Sequence, residues 1–144
     1  MSRRSWIAGI LAFSLLTGCG GQNEIQTPEK MDKPTSAKAY AQAVWDIESQ
    51  REIVYAEIAE TIDSDILEQI RCDRPNRVNE LSREARRAVV EYCNVAEEIV
   101  ANNQLTVTWF NNMTQQMLED EEFQELVDGE FLRLQNERES REDS

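Results

Sequence analysis

Histidine is absent from this 144-residue chain, proline occurs three times and glycine five times. Without His, no Cys–His or Ser–His nucleophile pair can form, and the commonest general base and zinc ligand are missing. So few turn formers leave little room for a turn-rich β-sandwich or a Gly-rich phosphate loop. Basic residues are scarce too: 15 Lys and Arg face 28 Asp and Glu, a formal charge of -13. A chain of that sign lacks the basic face that phosphate-backbone binding requires, so no nucleic-acid partner is expected. What is plentiful is Glu, Gln, Arg, Ala and Leu, the composition of helices. The length suits one domain with one modest core. The expectation is an all-α body, a small bundle of three to five helices.

The amino terminus reads as an export address. Arg3 and Arg4 form a positive start, and Trp6 to Leu16 form an apolar run too short to span comfortably as a permanent helix. The run ends in Leu16-Thr17-Gly18-Cys19, which resembles the lipobox of bacterial lipoproteins. That resemblance implies a signal peptide over residues 1–18 and a Cys19 thiol carrying palmitate-type acyl chains. Several such chains anchor stably where one binds only marginally. Ser2-Arg3-Arg4-Ser5-Trp6-Ile7 also resembles a twin-arginine export signal, although the short start with no following Lys favours the general export route. The expected location is the periplasmic or lumenal face of a membrane, held there by lipid.

Residues 19–34, with Gly20, Gly21, Pro28 and Pro34 among polar neighbours, read as a flexible tether to a helical domain over residues 35–135. In that domain Tyr40, Val44, Ile47, Val54 and Ile58 recur at helical spacing, with Thr35 or Ser36 as the expected cap and an end near Ile62. Asp63-Ser64-Asp65 offers a new cap before Ile66 and Leu67. A second long helix carries Ala85, Val89, Tyr92, Ala96 and Val100 and stops at Asn102-Asn103. Thr106 caps a third, with Phe110, Met113 and Met117 inward, and Asp120 caps a fourth, with Phe123, Leu126, Val127, Phe131 and Leu134. Residues 136–144 are almost all charged or polar and are expected to form a disordered tail.

If Cys19 is lipidated, Cys72 and Cys93 remain. In an oxidising compartment, with no His nearby, they read as a disulfide; two buried free thiols are the alternative. The bridge bears on the second helix's start. From Val78, Cys93 would lie about 22 Å along the axis, forcing residues 72–78 almost fully stretched. Starting near Ser82, a good cap, relaxes that demand and leaves Cys72 to Leu81 as an irregular crossing segment.

Several stretches resemble a domain-of-unknown-function family, DUF4168, of exported helical proteins well represented in cyanobacteria. They are Ala39-Tyr40-Ala41-Gln42-Ala43-Val44-Trp45-Asp46-Ile47-Glu48, Cys72 with Pro75-Asn76, Tyr92-Cys93-Asn94 followed by Glu98-Ile99-Val100, and Leu105-Thr106-Val107-Thr108-Trp109-Phe110-Asn111 followed by Phe123 and Leu132-Arg133-Leu134-Gln135. The resemblance spans roughly residues 37–135. It implies a small helical exported domain and supports the Cys72–Cys93 pairing, and the family has no assigned activity to carry over. Asp120-Glu121-Glu122-Phe123 lacks the Asp-Pro of some relatives.

No catalytic set is recognisable, so an enzyme is not expected, and neither a cofactor nor a metal site is read. Glu119-Asp120-Glu121-Glu122 lacks the alternating ligands and central Gly of a calcium loop. Arg51 falls in the apolar stripe, where it reads as a snorkelling side chain paired with Glu48 or Glu52, or as the centre of an anion pocket. Trp109 diverges from Phe110 by about 100° on a helix, which makes it either a rim residue or a partner anchor. With Glu119, Glu122 and Glu125 it forms the candidate partner face. Residues 71–91 hold six Arg against four acids, whereas 105–132 hold seven acids and no base. Antiparallel packing of these regions would offset both fields; an acidic face offered to a basic partner is the other reading. The functional expectation is a non-catalytic accessory or scaffold lipoprotein that binds another envelope protein, with a small-ligand or metal-binding helical module as the alternative.

Overall fold

A computed structural model describes residues 31–60, 62, 64–67, 70–72 and 75–143. Among the described residues every regular element is helical: α1 (Lys33–Ile58), α2 (Ser64–Leu67), α3 (Pro75–Asn79), α4 (Arg83–Asn102), α5 (Val107–Glu119) and α6 (Glu121–Glu142). The four long helices and the Cys72–Cys93 disulfide make the expected all-α body.

The first helix starts earlier than expected. Asp32, rather than Thr35 or Ser36, is the cap: its carboxylate accepts the Thr35 N–H at 2.8 Å. Pro34 lies in the first turn, where no backbone N–H is needed, so the helix begins inside the segment read as tether. Ser36 is buried instead. The helix stops at Ile58, four residues short of Ile62.

α1 is the central strut. Ala37, Tyr40, Ala41, Val44 and Ile47 are buried along one side. α4 runs antiparallel to it, so that Ala85 and Val89 join Ile58 while Tyr92, Ala96 and Val100 join the Ala37–Ile47 stretch. α6 runs parallel, with the Phe123 ring 6.1 Å from that of Tyr40. α5 closes the end: its Phe110 ring lies 5.1 Å from Tyr40, and Thr114 Oγ1 lies 3.1 Å from the Tyr40 hydroxyl, which donates to it.

Three other caps form at the expected residues, while Asp63, in the cap expected before Ile66, lies outside the described residues. Ser82 Oγ accepts from Ala85 N–H at 3.3 Å, Thr106 Oγ1 from Trp109 at 3.1 Å and Asp120 Oδ1 from Phe123 at 3.0 Å. The end of α4 is a Schellman motif. Gln104, at φ 60°, takes the left-handed position that Asn102-Asn103 was expected to supply. Its N–H donates to the Ala101 carbonyl and that of Leu105 to the Val100 carbonyl, which turns Leu105 into the core.

Two further expectations are corrected. Residues 136–142, read as a disordered tail, continue α6 to Glu142, so the helical body runs from 33 to 142 rather than 35 to 135. The reason is local pairing one turn apart: Arg133 with Glu130 and Glu137, Gln135 with Glu139, and Arg138 with Glu142. The crossing segment before α4 is not wholly irregular, since it contains α3. Val78 and Leu81 from this segment, with Ile70, cover Ile58, Ala85 and Val89 as a second, smaller core. The disulfide, with Cα atoms 5.6 Å apart, fastens this strap to α4.

Candidate functional site

Cys19, the lipidation candidate, and the signal peptide over residues 1–18 lie outside the described residues. Every other candidate has a place in the fold.

Arg51 sits on α1 with its guanidinium held from two sides. Nε donates to Glu48 Oε2 at 2.8 Å, and the guanidinium carbon lies 5.1 Å from the centre of the Tyr55 ring. Burial alone would lower its pKa, but the hydrogen bond and charge of Glu48 reverse that and raise it. The Tyr55 hydroxyl, raised chiefly by burial, lies 3.5 Å from the Ile70 carbonyl on the strap. Burial and the Glu48 charge also raise the Tyr92 hydroxyl. Of the two sequence readings, the geometry is that of the snorkelling arginine paired with Glu48; an anion would have to displace that carboxylate.

The four residues of the candidate partner face do not form one patch. Trp109 begins α5, half-buried and packed against the main core, while Glu119 ends it. Ten residues at 1.5 Å each put them about 15 Å apart along the axis. Glu119, Glu122 and Glu125 are exposed around the Asp120 link between α5 and α6. Glu119 accepts from Gln115 at 2.6 Å, and Lys33 reaches across from α1 to Asp120 at 2.9 Å and Glu122 at 2.7 Å. The Phe123 N–H, Lys33 and Gln116 together hold the Asp120 carboxyl down at about 2. The same carboxylates raise the Lys33 ammonium.

The offset between basic and acidic regions is also corrected. The acid-rich link answers Lys33 at the start of α1, whereas the arginine-rich start of α4 packs near Ile58 at its other end. These two ends of α1 are about 37 Å apart. Arg77 pairs locally with Glu80, and Arg86 donates to the Asn79 and Leu81 carbonyls.

A groove that sequence reasoning missed runs along the side of α1 turned away from the core. Trp45, Glu52, Ile53 and Ala56 line it from α1, and Leu134 and Glu137 from α6. Its signal was legible: Trp45, Ile53 and Ala56 are spaced by eight and three, a second short apolar strip opposite the main one. Among the described residues no group of three or more His, Cys, Asp or Glu is placed to hold a metal ion.

Residues 33–127 match the family model described as Domain of unknown function (DUF4168), and the chain belongs to that family. No curated protein and no solved structure matches it.

Proposed function

We propose that the chain is a lipid-tethered accessory or scaffold protein, held on the periplasmic or lumenal face of a membrane, where its helical body binds another envelope protein. The observation that carries the reading is Leu16-Thr17-Gly18-Cys19 placed directly after Arg3-Arg4 and the Trp6–Leu16 apolar run. Acylation of Cys19 supplies the anchor in this scheme. Thirteen residues separate Cys19 from Lys33, the first residue of α1, and can span at most about 45 Å. That reach lets the body stand clear of the headgroups while remaining close to membrane-proximal partners. The acid excess of the body supports a partner with a basic surface, because charge of one sign steers association with the other.

The test uses the full chain in its native membrane. Cys19→Ala is expected to abolish acyl labelling and to release the protein into the soluble fraction or leave an unprocessed precursor. Unchanged acyl labelling overturns the anchor. Crosslinking of the anchored wild-type chain tests the second half of the reading: capture of an envelope protein through the folded body supports it, and an anchored chain that captures none overturns it.

A further inference from the structure

Two exposed surfaces of the body are complementary in character: a convex helix face rich in arginine and a groove bordered by carboxylates. On α4, Arg83, Arg86, Arg87 and Val90 recur at helical spacing on the side opposite the buried Ala85, Val89 and Tyr92. All four are exposed, Val90 by 46%. Arg83 and Arg87 thus share a convex helix face with one small apolar side chain, while the Arg86 guanidinium is turned back to the Asn79 and Leu81 carbonyls. The groove between α1 and α6 has the complementary character. Ile53, 61% exposed, and the half-buried Trp45 supply its apolar floor. Asp46, Glu52, Glu137 and Glu142 border it with Arg138 and Arg141; Glu137 is held by Arg133, which leaves Asp46 and Glu52 as its carboxylates outside an arginine pair. Arg138 is paired with Glu142 at 3.2 Å.

We propose that the body associates head to tail with further copies of itself, the arginine face of α4 on one copy seating in the acidic α1–α6 groove of the next. A groove between two helices accepts the side of a third helix, with an exposed apolar residue of each partner meeting at the centre. Val90 then lies against Ile53, and Arg83 and Arg87 lie toward Asp46 and Glu52. The occupant is a second copy because the matching surface is present on this same chain. Groove against groove would oppose like charges, as would α4 against α4, so a two-fold dimer through either surface is disfavoured. Using two different surfaces makes the contact heterologous, and each added copy leaves one groove and one α4 face open. The assembly does not depend on the lipid anchor.

Sedimentation of the full chain in a non-ionic detergent tests this. Wild-type mass is expected to climb with protein concentration and fall back as salt is raised. Glu52→Arg and Arg87→Glu are each expected to weaken self-association by about tenfold or more. Mixing these two variants is the decisive arm. The intact α4 of the first fits the intact groove of the second, and the two reversed charges face each other with opposite sign, so the mixture is expected to regain the concentration-dependent association that each variant lacks alone. Circular dichroism confirms that the variants are folded, and Glu52→Gln with Arg87→Gln repeats the experiment if either charge reversal fails to fold. A wild-type chain that stays monomeric overturns the proposal. So do single variants that associate like wild type, or a mixture that does not regain association.

Discussion

Tyr40 connects three helices through one side chain. Its ring is 1% exposed and lies between Phe110 and Phe123, and its hydroxyl donates to Thr114, whose own hydroxyl donates to the Phe110 carbonyl. Burial pushes the Tyr40 hydroxyl up to about 12, against an ordinary value near 10. The folded state thus holds this proton more tightly than the unfolded chain. The associated stability is complete below pH 10 and is lost as the pH rises through about 12, by on the order of 2 kcal/mol. Tyr92 and Lys33 are raised too and act in the same direction. Tyr40→Phe is therefore expected to lose about 1 kcal/mol at neutral pH. It should also fall less steeply than wild type between pH 10 and 12 in urea titrations. An identical slope would mean that the hydroxyl does not titrate in the folded core. The inward placement of Tyr40, Phe110 and Phe123 was legible because helical spacing fixes which side chains share a face. The left-handed Gln104 was not, because Asn residues beside it are better local candidates and only burial of Leu105 selects the actual turn.

At the level of elements, caps carry the most local information. Ser82, Thr106 and Asp120 could be read from sequence since each is a strong cap directly ahead of an apolar period. The start of α1 was misread because Pro34 looks like tether, although a first-turn proline is compatible with a helix. The end of α6 was misread because apolar periodicity stops at Leu134, whereas pairing between charged side chains carries the helix on to Glu142. α6 also contains a weak point. Gly129 is exposed in its interior, and a Cβ added there meets nothing within 4 Å. Glycine inside a helix is about 1 kcal/mol less favourable than alanine. Gly129→Ala is expected to stabilise the protein by about that amount and raise Tm by about 4 °C. A lower Tm would show that the site has a conformational demand that alanine cannot meet.

The whole molecule is two cores on one strut, with charge drawn to opposite ends. The larger core gathers α1, α4, α5 and α6 around Tyr40; the smaller one exists because the strap bearing Ile70, Val78 and Leu81 lies over Ile58, Ala85 and Val89. The sequence indicated the bundle and the cysteine pair; it also carried the Trp45, Ile53 and Ala56 strip, but that this strip floors a groove depends on how α6 is placed along α1. It also did not show that the acid-rich and arginine-rich regions lie at opposite ends, because sequence order does not specify which end of α1 each neighbour meets. The disulfide joins the two cores: Cys72 and Cys93 pack against the larger one, and Cys93 also touches the smaller. Cys72 and Cys93 are 21 residues apart, and closing a loop of that length contributes about 3 kcal/mol, largely by restricting the unfolded chain. The double variant Cys72→Ala/Cys93→Ala is expected to lose about that much in urea denaturation. Its losses should also be uneven. Native-state hydrogen exchange should show amides of α3 and of residues 78–81 losing protection first. Those of α1 and α4 around Tyr40 and Ala96 should stay protected up to the global transition, because Phe110, Met113, Phe123 and Val127 still pack that core when the cysteines beside it are unlinked. If protection fell by the same amount throughout, the two clusters would be one cooperative unit, and the strap would be integral to the bundle rather than fastened onto it.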